Sequence, residues 1–144
     1  MTPDILRVLP HRYPMLLVDR VVDLVPGESL TAVKAVSADE PWYADLAPGA
    51  PDDYPSTLLL ESWCQAAVLL ASWPGPAGLT LLGAVSDVEF HRPVTPGCLV
   101  RHSVRLLDAR GGTAAFTGRS EVDGLVVLTA GRVVTTAARL DSGP

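Results

Sequence analysis

Ser56-Thr57-Leu58-Leu59-Leu60-Glu61-Ser62-Trp63-Cys64-Gln65-Ala66-Ala67-Val68-Leu69-Leu70-Ala71-Ser72-Trp73 is the stretch on which the fold turns. It holds neither Gly nor Pro, and Pro74-Gly75-Pro76 ends it. The run predicts a helix over 56–73, with Ser56 capping its first amides. Leu58, Leu59, Leu60, Trp63, Ala66, Ala67, Leu69, Leu70 and Trp73 occupy nearly the whole circumference. A helix that is apolar on almost every side is buried, not laid on a surface. Glu61 is the one charge in it, and a carboxylate there is costly to bury unless it has a partner or a task.

The flanks read mostly as strands. Before the helix, 2–9 predicts a short helix with Pro3 in its first turn and Pro10 beyond its end. Met15 to Val25 and Ser29 to Val36 predict two strands joined at Pro26-Gly27. Ser37 and Glu40 have capping-box spacing, which predicts a short helix carrying Trp42 and Tyr43. Pro48 to Pro55, with its three prolines, is a loop. After the helix come strands over 81–90, 99–109, 114–122 and 125–138. Val100, His102, Val104 and Leu106 alternate with Arg101, Ser103, Arg105 and Leu107. Asp123-Gly124 is a two-residue hairpin signal. Two strands, one buried helix and a run of antiparallel strands make an α+β domain in which the sheet wraps the helix.

The 144 residues suit one domain, expected over 5–140 with a loose tail at 141–144. With 48% hydrophobic and 19% charged residues, the chain is too apolar for disorder. A net charge of −5 gives no electrostatic footprint for nucleic acid. No apolar run reaches membrane-spanning length and Met1-Thr2-Pro3-Asp4 has no signal-peptide pattern, so a cytoplasmic location is expected, with no membrane partner. Cys64 and Cys98 lack metal-ligand spacing and read as buried free thiols. Cys64 as a nucleophile would need a nearby base, which its sequence neighbours do not supply.

Leu9-Pro10-His11-Arg12-Tyr13-Pro14, Leu16-Leu17-Val18-Asp19-Arg20, Ala32-Val33-Lys34, Glu40-Pro41, Pro48-Gly49, Glu61 with Gln65, and Phe90-His91-Arg92-Pro93-Val94 with Pro96-Gly97 occur in this order. This series resembles the FabZ-type 3-hydroxyacyl-acyl-carrier-protein dehydratases, a family with the hot-dog fold. The resemblance implies a tight dimer whose two sheets join, with interface tunnels that take an acyl chain on a phosphopantetheine arm. It implies that a histidine from one subunit removes the proton beside the thioester, while a glutamate from the other helps the β-hydroxyl leave. It places the catalytic positions at Glu61, the acid, and at Gln65 one helical turn on. Pro48, Gly49, Ser56 and Thr57 fall at the substrate-binding positions, near the helix-start amides that polarise the thioester carbonyl. No metal is implied, and no cofactor beyond the phosphopantetheine that carries the substrate.

The departures are as informative. Where the family has Gly-His-Phe-Pro-Gly, this chain has Asp45-Leu46-Ala47-Pro48-Gly49, so Leu46 occupies the catalytic histidine position. The loop at 51–55 looks one residue longer, and Ser56 stands for a glycine that lets backbone approach substrate closely. Asp45 is a weaker substitute base and reads as a solvated residue, as do Asp52 and Asp53. His11 reads as structural. Asp87, Glu89 and His91 alternate and could share a face as a metal triad, though solvated strand polarity accounts for them as well. His102 reads as a core or interface residue. Arg92, Arg101 and Arg105 could meet an acidic carrier protein.

Because the histidine and the acid come from different subunits in the family, a chain without the histidine can still complete a site. The expectation is one subunit of a 3-hydroxyacyl-carrier-protein dehydratase of fatty-acid or polyketide biosynthesis. It would contribute Glu61 to a heterodimer with a histidine-bearing homologue. The alternatives are a homodimer, a non-catalytic acyl-chain or carrier-protein binding subunit, and a thioesterase-like hydrolase using Glu61 or Asp45.

Overall fold

A computed structural model describes residues 4–75 and 80–137 of the chain. The elements are α1 (Ile5–Val8), β1 (Arg20–Val25), β2 (Ser29–Ala35), a single 3-10 turn (Pro41–Tyr43), α2 (Ser56–Ser72), β3 (Thr80–Phe90), β4 (Leu99–Arg110), β5 (Thr113–Val122) and β6 (Leu125–Ala137). The strands form one antiparallel sheet in the order β1-β2-β4-β5-β6-β3. It curls around α2, which packs chiefly on β4 and β2. This is the hot-dog fold. Among the described residues, no helix is long and apolar enough to cross a membrane.

Trp63, wholly buried on α2, sits at the centre of the core with Phe116, Leu69, Leu30 and Leu128. Its indole N–H donates to Ser103 O at 3.2 Å. The sheet admits it because residue 118 is glycine: a Cβ there would overlap Ser103 O and stand 3.0 Å from Trp63 Cζ2. The β4 alternation is realised, with Val100, His102 and Val104 inside and Arg101 and Arg105 outside. Asp123 and Gly124 both take positive φ, 51° and 77°, the geometry of a type I′ hairpin turn.

Several elements differ from the sequence expectation. Pro55 occupies the cap position of α2 and Ser56 is its first helical residue, so Ser56 does not cap. The proline supplies a fixed φ, and no side chain caps that end. The first helix starts at Ile5, capped by Asp4 Oδ1 accepting from Leu6 N–H; Thr2 and Pro3 lie outside the described residues. The first strand begins at Arg20, not Met15, because side chains of α2 take the Leu17 N–H and C=O. Glu40 Oε2 accepts from Ser37 N–H as a capping box requires, but Ser37 Oγ accepts from Asp39 N–H. The motif thus closes a turn that leads into the short helix, which is a 3-10 helix over Pro41–Tyr43 and carries Trp42 and Tyr43 as expected. Pro76, Ala138 and the expected tail at 141–144 also lie outside the described residues.

Candidate active site

Helical spacing puts Gln65 one turn beyond Glu61, and the two meet: Gln65 Nε2 donates to Glu61 Oε1 at 3.0 Å. Gln65 is buried, and the rest of its amide is engaged by backbone. Its Oε1 accepts from Leu17 N–H and its Nε2 donates to Met15 O, both at 2.8 Å. One turn of α2 is thereby pinned to the segment that leads into β1. The Glu61 side chain is 36% exposed, so in the single chain it escapes the cost of full burial.

His11 comes to the same carboxylate, with Nε2 3.5 Å from Glu61 Oε1. From sequence His11 reads as structural, fifty residues from Glu61, with no histidine between His11 and His91. The one available signal was its place in the first matched block, which says nothing of distance to α2. Arg12 fixes this corner by donating to the carbonyls of Leu6, Leu9 and His11 at 2.7–3.0 Å. His11, Glu61, Cys64, Gln65, Val68 and Leu82 help line a cavity of about 110 Å³. A larger concavity, about 730 Å³, lies on the opposite face of the sheet among Thr31, Ser103, Arg105 and Arg119, away from Glu61. Chemistry of the kind Glu61 can perform belongs to the smaller one.

Behind Glu61 lies a closed buried chain. Ser62 Oγ donates to Leu17 O at 2.6 Å, which uses its only proton. The 2.7 Å contact to His102 must then be His102 Nε2–H donating to Ser62 Oγ. Ser120 Oγ in turn donates to His102 Nδ1 at 2.7 Å. Complete burial lowers the His102 pKa to about 3, so the ring is neutral. His102 is the core residue its strand face implied. Cys64 is likewise inert: burial first and then the charge of Glu61 raise its thiol to about 12.

The loop with the other expected site residues is held at its root. Glu40 Oε1 meets Lys34 Nζ at 3.1 Å, the Trp42 indole N–H at 3.2 Å and the Tyr54 hydroxyl at 3.3 Å. Burial and this carboxylate push the Tyr54 phenol well above its ordinary range. Tyr54 N–H also donates to Val94 O. Glu40 and Tyr54 thus brace both ends of the segment carrying Asp45, Leu46, Pro48 and Gly49. Leu46 is exposed, Gly49 takes a positive φ of 79°, and Asp45 is exposed as a solvated residue would be. Ser56 and Thr57 are exposed in the first turn of α2. None of these residues lines the cavity at Glu61.

Asp87 and Glu89 both line the larger concavity, but with His91 they do not gather into a metal site. Asp87 takes a positive φ of 55°, and a Cβ on neighbouring Gly131 would stand 2.6 Å from its own Cβ. His91 lies past the end of β3, 2.9 Å from Thr129 Oγ1 and 3.9 Å from Glu89. Among the described residues no cluster could hold a metal ion.

The FabA-like domain model matches residues 9–131, which includes His11, Glu61 and Gln65. The chain belongs to the FabA-like family. This FabA-like chain is 41% identical over 133 residues to the 3-hydroxyacyl-[acyl-carrier-protein] dehydratase FabZ of Shewanella sp. (strain MR-4), covering 88% of this chain and 86% of that protein. The corresponding FabZ of Shewanella amazonensis is 41% identical over 132 residues, with the same coverage. Among solved structures, the dehydratase heterocomplex ApeI:P from Xenorhabdus doucetiae superposes with a TM-score of 0.79 at 22% identity, covering 94% of this chain and 91% of that one. The E. coli PaaI protein of the phenylacetic acid degradation operon superposes at 0.63 with 14% identity, covering 85% and 80%. At such identities these two structures speak to the fold alone.

Proposed function

We propose that this chain is a FabZ-type 3-hydroxyacyl-acyl-carrier-protein dehydratase subunit of fatty-acid biosynthesis, with Glu61 as its acid. We propose further that the base is a histidine of a homologous partner chain and that the acyl group arrives on phosphopantetheine. The observation that carries this reading is the pairing of an anchored, half-exposed Glu61 with an exposed Leu46 where the family motif has histidine.

The chemistry divides accordingly. A base takes the proton beside the thioester carbonyl, and the C–H electron pair becomes an enolate. Unpaired amides at the start of α2 are suited to stabilise that charge. The enolate collapses, the β C–O bond breaks, and the Glu61 proton leaves with the hydroxyl as water. Imidazole suits the first task and a partly desolvated carboxyl group the last.

An open sheet edge favours a partner. β3 ends the sheet, and Leu81, Leu82, Val85 and Phe90 are exposed along it. An apolar edge with unpaired backbone groups is a template for another strand. The Xenorhabdus doucetiae dehydratase is described as a heterocomplex and shares the fold.

The test compares three preparations on a 3-hydroxyacyl-carrier-protein substrate: the chain alone, a homologue bearing Gly-His-Phe-Pro-Gly, and the two coexpressed. Dehydration by the mixed dimer should fall at least about 100-fold with Glu61→Gln, while sizing still shows a dimer. Activity that survives Glu61→Gln removes it as the acid. Robust dehydration by the chain alone, lost on Asp45→Ala, overturns the need for a partner's histidine.

A further inference from the structure

Gln65 Nε2 and His11 Nε2 converge on one oxygen of Glu61. Gln65 Nε2 is 3.0 Å from Oε1, and His11 Nε2 is 3.5 Å from the same atom. The Gln65 amide cannot be turned over, because Leu17 N–H and Met15 O define which end is oxygen and which nitrogen. For His11, Nδ1 is buried and has no hydrogen-bond partner among the described residues. A buried N–H with no acceptor is costly, and an unused acceptor is the commoner compromise. The ring proton therefore belongs on Nε2, the nitrogen facing the carboxylate.

We infer that His11 and Gln65 clamp Oε1 of Glu61 between them, so that the acidic proton is carried by Oε2. The inference rests on the proposed role of Glu61 as the acid. An oxygen that already accepts two N–H groups is the poorer place for a proton, which leaves Oε2–H to face the leaving hydroxyl. When that O–H bond breaks and water departs, the negative charge of the carboxylate is met by two donors already in place. At 3.5 Å the His11 contact is at the outer limit of hydrogen bonding, and such contacts tighten when substrate closes the site. From β3 and β6 the cavity is faced by Thr80, Leu81, Leu82 and Thr135, so no other charge competes for the clamp from that side. His11 is a positioning residue; it acts through Glu61.

Two substitutions separate this role from a structural one. Gln can place an amide N–H near where Nε2 sits, whereas Met fills similar space without a donor. In the dehydrating dimer, His11→Met should lower kcat about 10- to 100-fold with KM within about twofold, and His11→Gln should restore it to within about threefold. Wild-type kcat in His11→Met, or equal loss in both variants, overturns the clamp. A second measurement needs no turnover. Long-range ¹⁵N–¹H spectra of histidine-labelled protein should show His11 as the Nε2–H tautomer, with that resonance moving in Glu61→Gln. An Nδ1–H tautomer overturns the inference. Absence of dehydration in every wild-type arrangement would count against Glu61 as the acid, and the tautomer would still decide the clamp.

Discussion

Lys34 Nζ lies 3.1 Å from Glu40 Oε1, with both side chains almost wholly buried at the root of the loop that carries Leu46. Removing one partner strands the other charge away from water. Lys34→Met should therefore cost about 3–5 kcal/mol in urea unfolding. Lys34→Met combined with Glu40→Gln should recover part of that loss, because the pair is coupled. Equal stability of the single and double variants would show that the ion pair is not what holds the loop.

Gln65 carries a different load. Gln65→Met keeps the volume but leaves Leu17 N–H and Met15 O without their partners. Each orphaned buried group costs about 1–3 kcal/mol, so a loss of about 2–5 kcal/mol is expected in the same assay. Hydrogen exchange should localise it: the Leu17 amide should lose protection before amides in the middle of β4. Unchanged protection at Leu17 would remove Gln65 as the clamp of that segment.

His102 predicts a specific pH dependence. Its pKa falls from 6.5 to about 3 through burial alone. Below pH 6.5 the unfolded chain binds a proton that the folded chain refuses, so stability declines as pH drops from about 6.5 towards about 3. The contribution to the slope approaches about 1.4 kcal/mol per pH unit within that window and vanishes above it. His102→Gln offers a donor to Ser62 and no titrating ring, and should flatten the profile between pH 4 and 6. A variant with the wild-type slope would place the dependence elsewhere.

Cys64, with its thiol raised to about 12, should resist a disulfide reagent at about pH 8 in the folded protein and react fully in urea. Cys64→Ala should leave dehydration by the mixed dimer within about threefold. Loss of turnover with Cys64→Ala and intact folding would return the thiol to the chemistry.

Gly118 is demanded by close approach. Gly118→Ala would drive its Cβ into Ser103 O and against the Trp63 ring. A loss of about 3 kcal/mol or more is expected from thermal unfolding, with Trp63 fluorescence changed. A stable variant with unaltered fluorescence would mean that β4 and β5 part easily at this point.

Much of this protein was legible in local sequence because the deciding physics is local. Apolar residues around 56–73 demand a buried helix, alternation over 99–107 demands a half-buried strand, and Asp123-Gly124 suits a turn with positive φ at both positions. The spacing of Glu61 and Gln65 guarantees a shared helix face, and the quoted blocks carry the family. What the Gln65 amide does with its remaining atoms was not legible, since Met15 and Leu17 reach it from a different part of the chain. The same holds for Lys34 with Glu40 and for His102 between Ser62 and Ser120. The sequence has no histidine between His11 and His91, which is a statement about sequence distance alone. Folding the chain into the order β1-β2-β4-β5-β6-β3 around α2 brings the segment before β1 across that helix and sets His11 beside the carboxylate. Periodicity reports which face a residue occupies; only the packing of distant segments decides what that face meets.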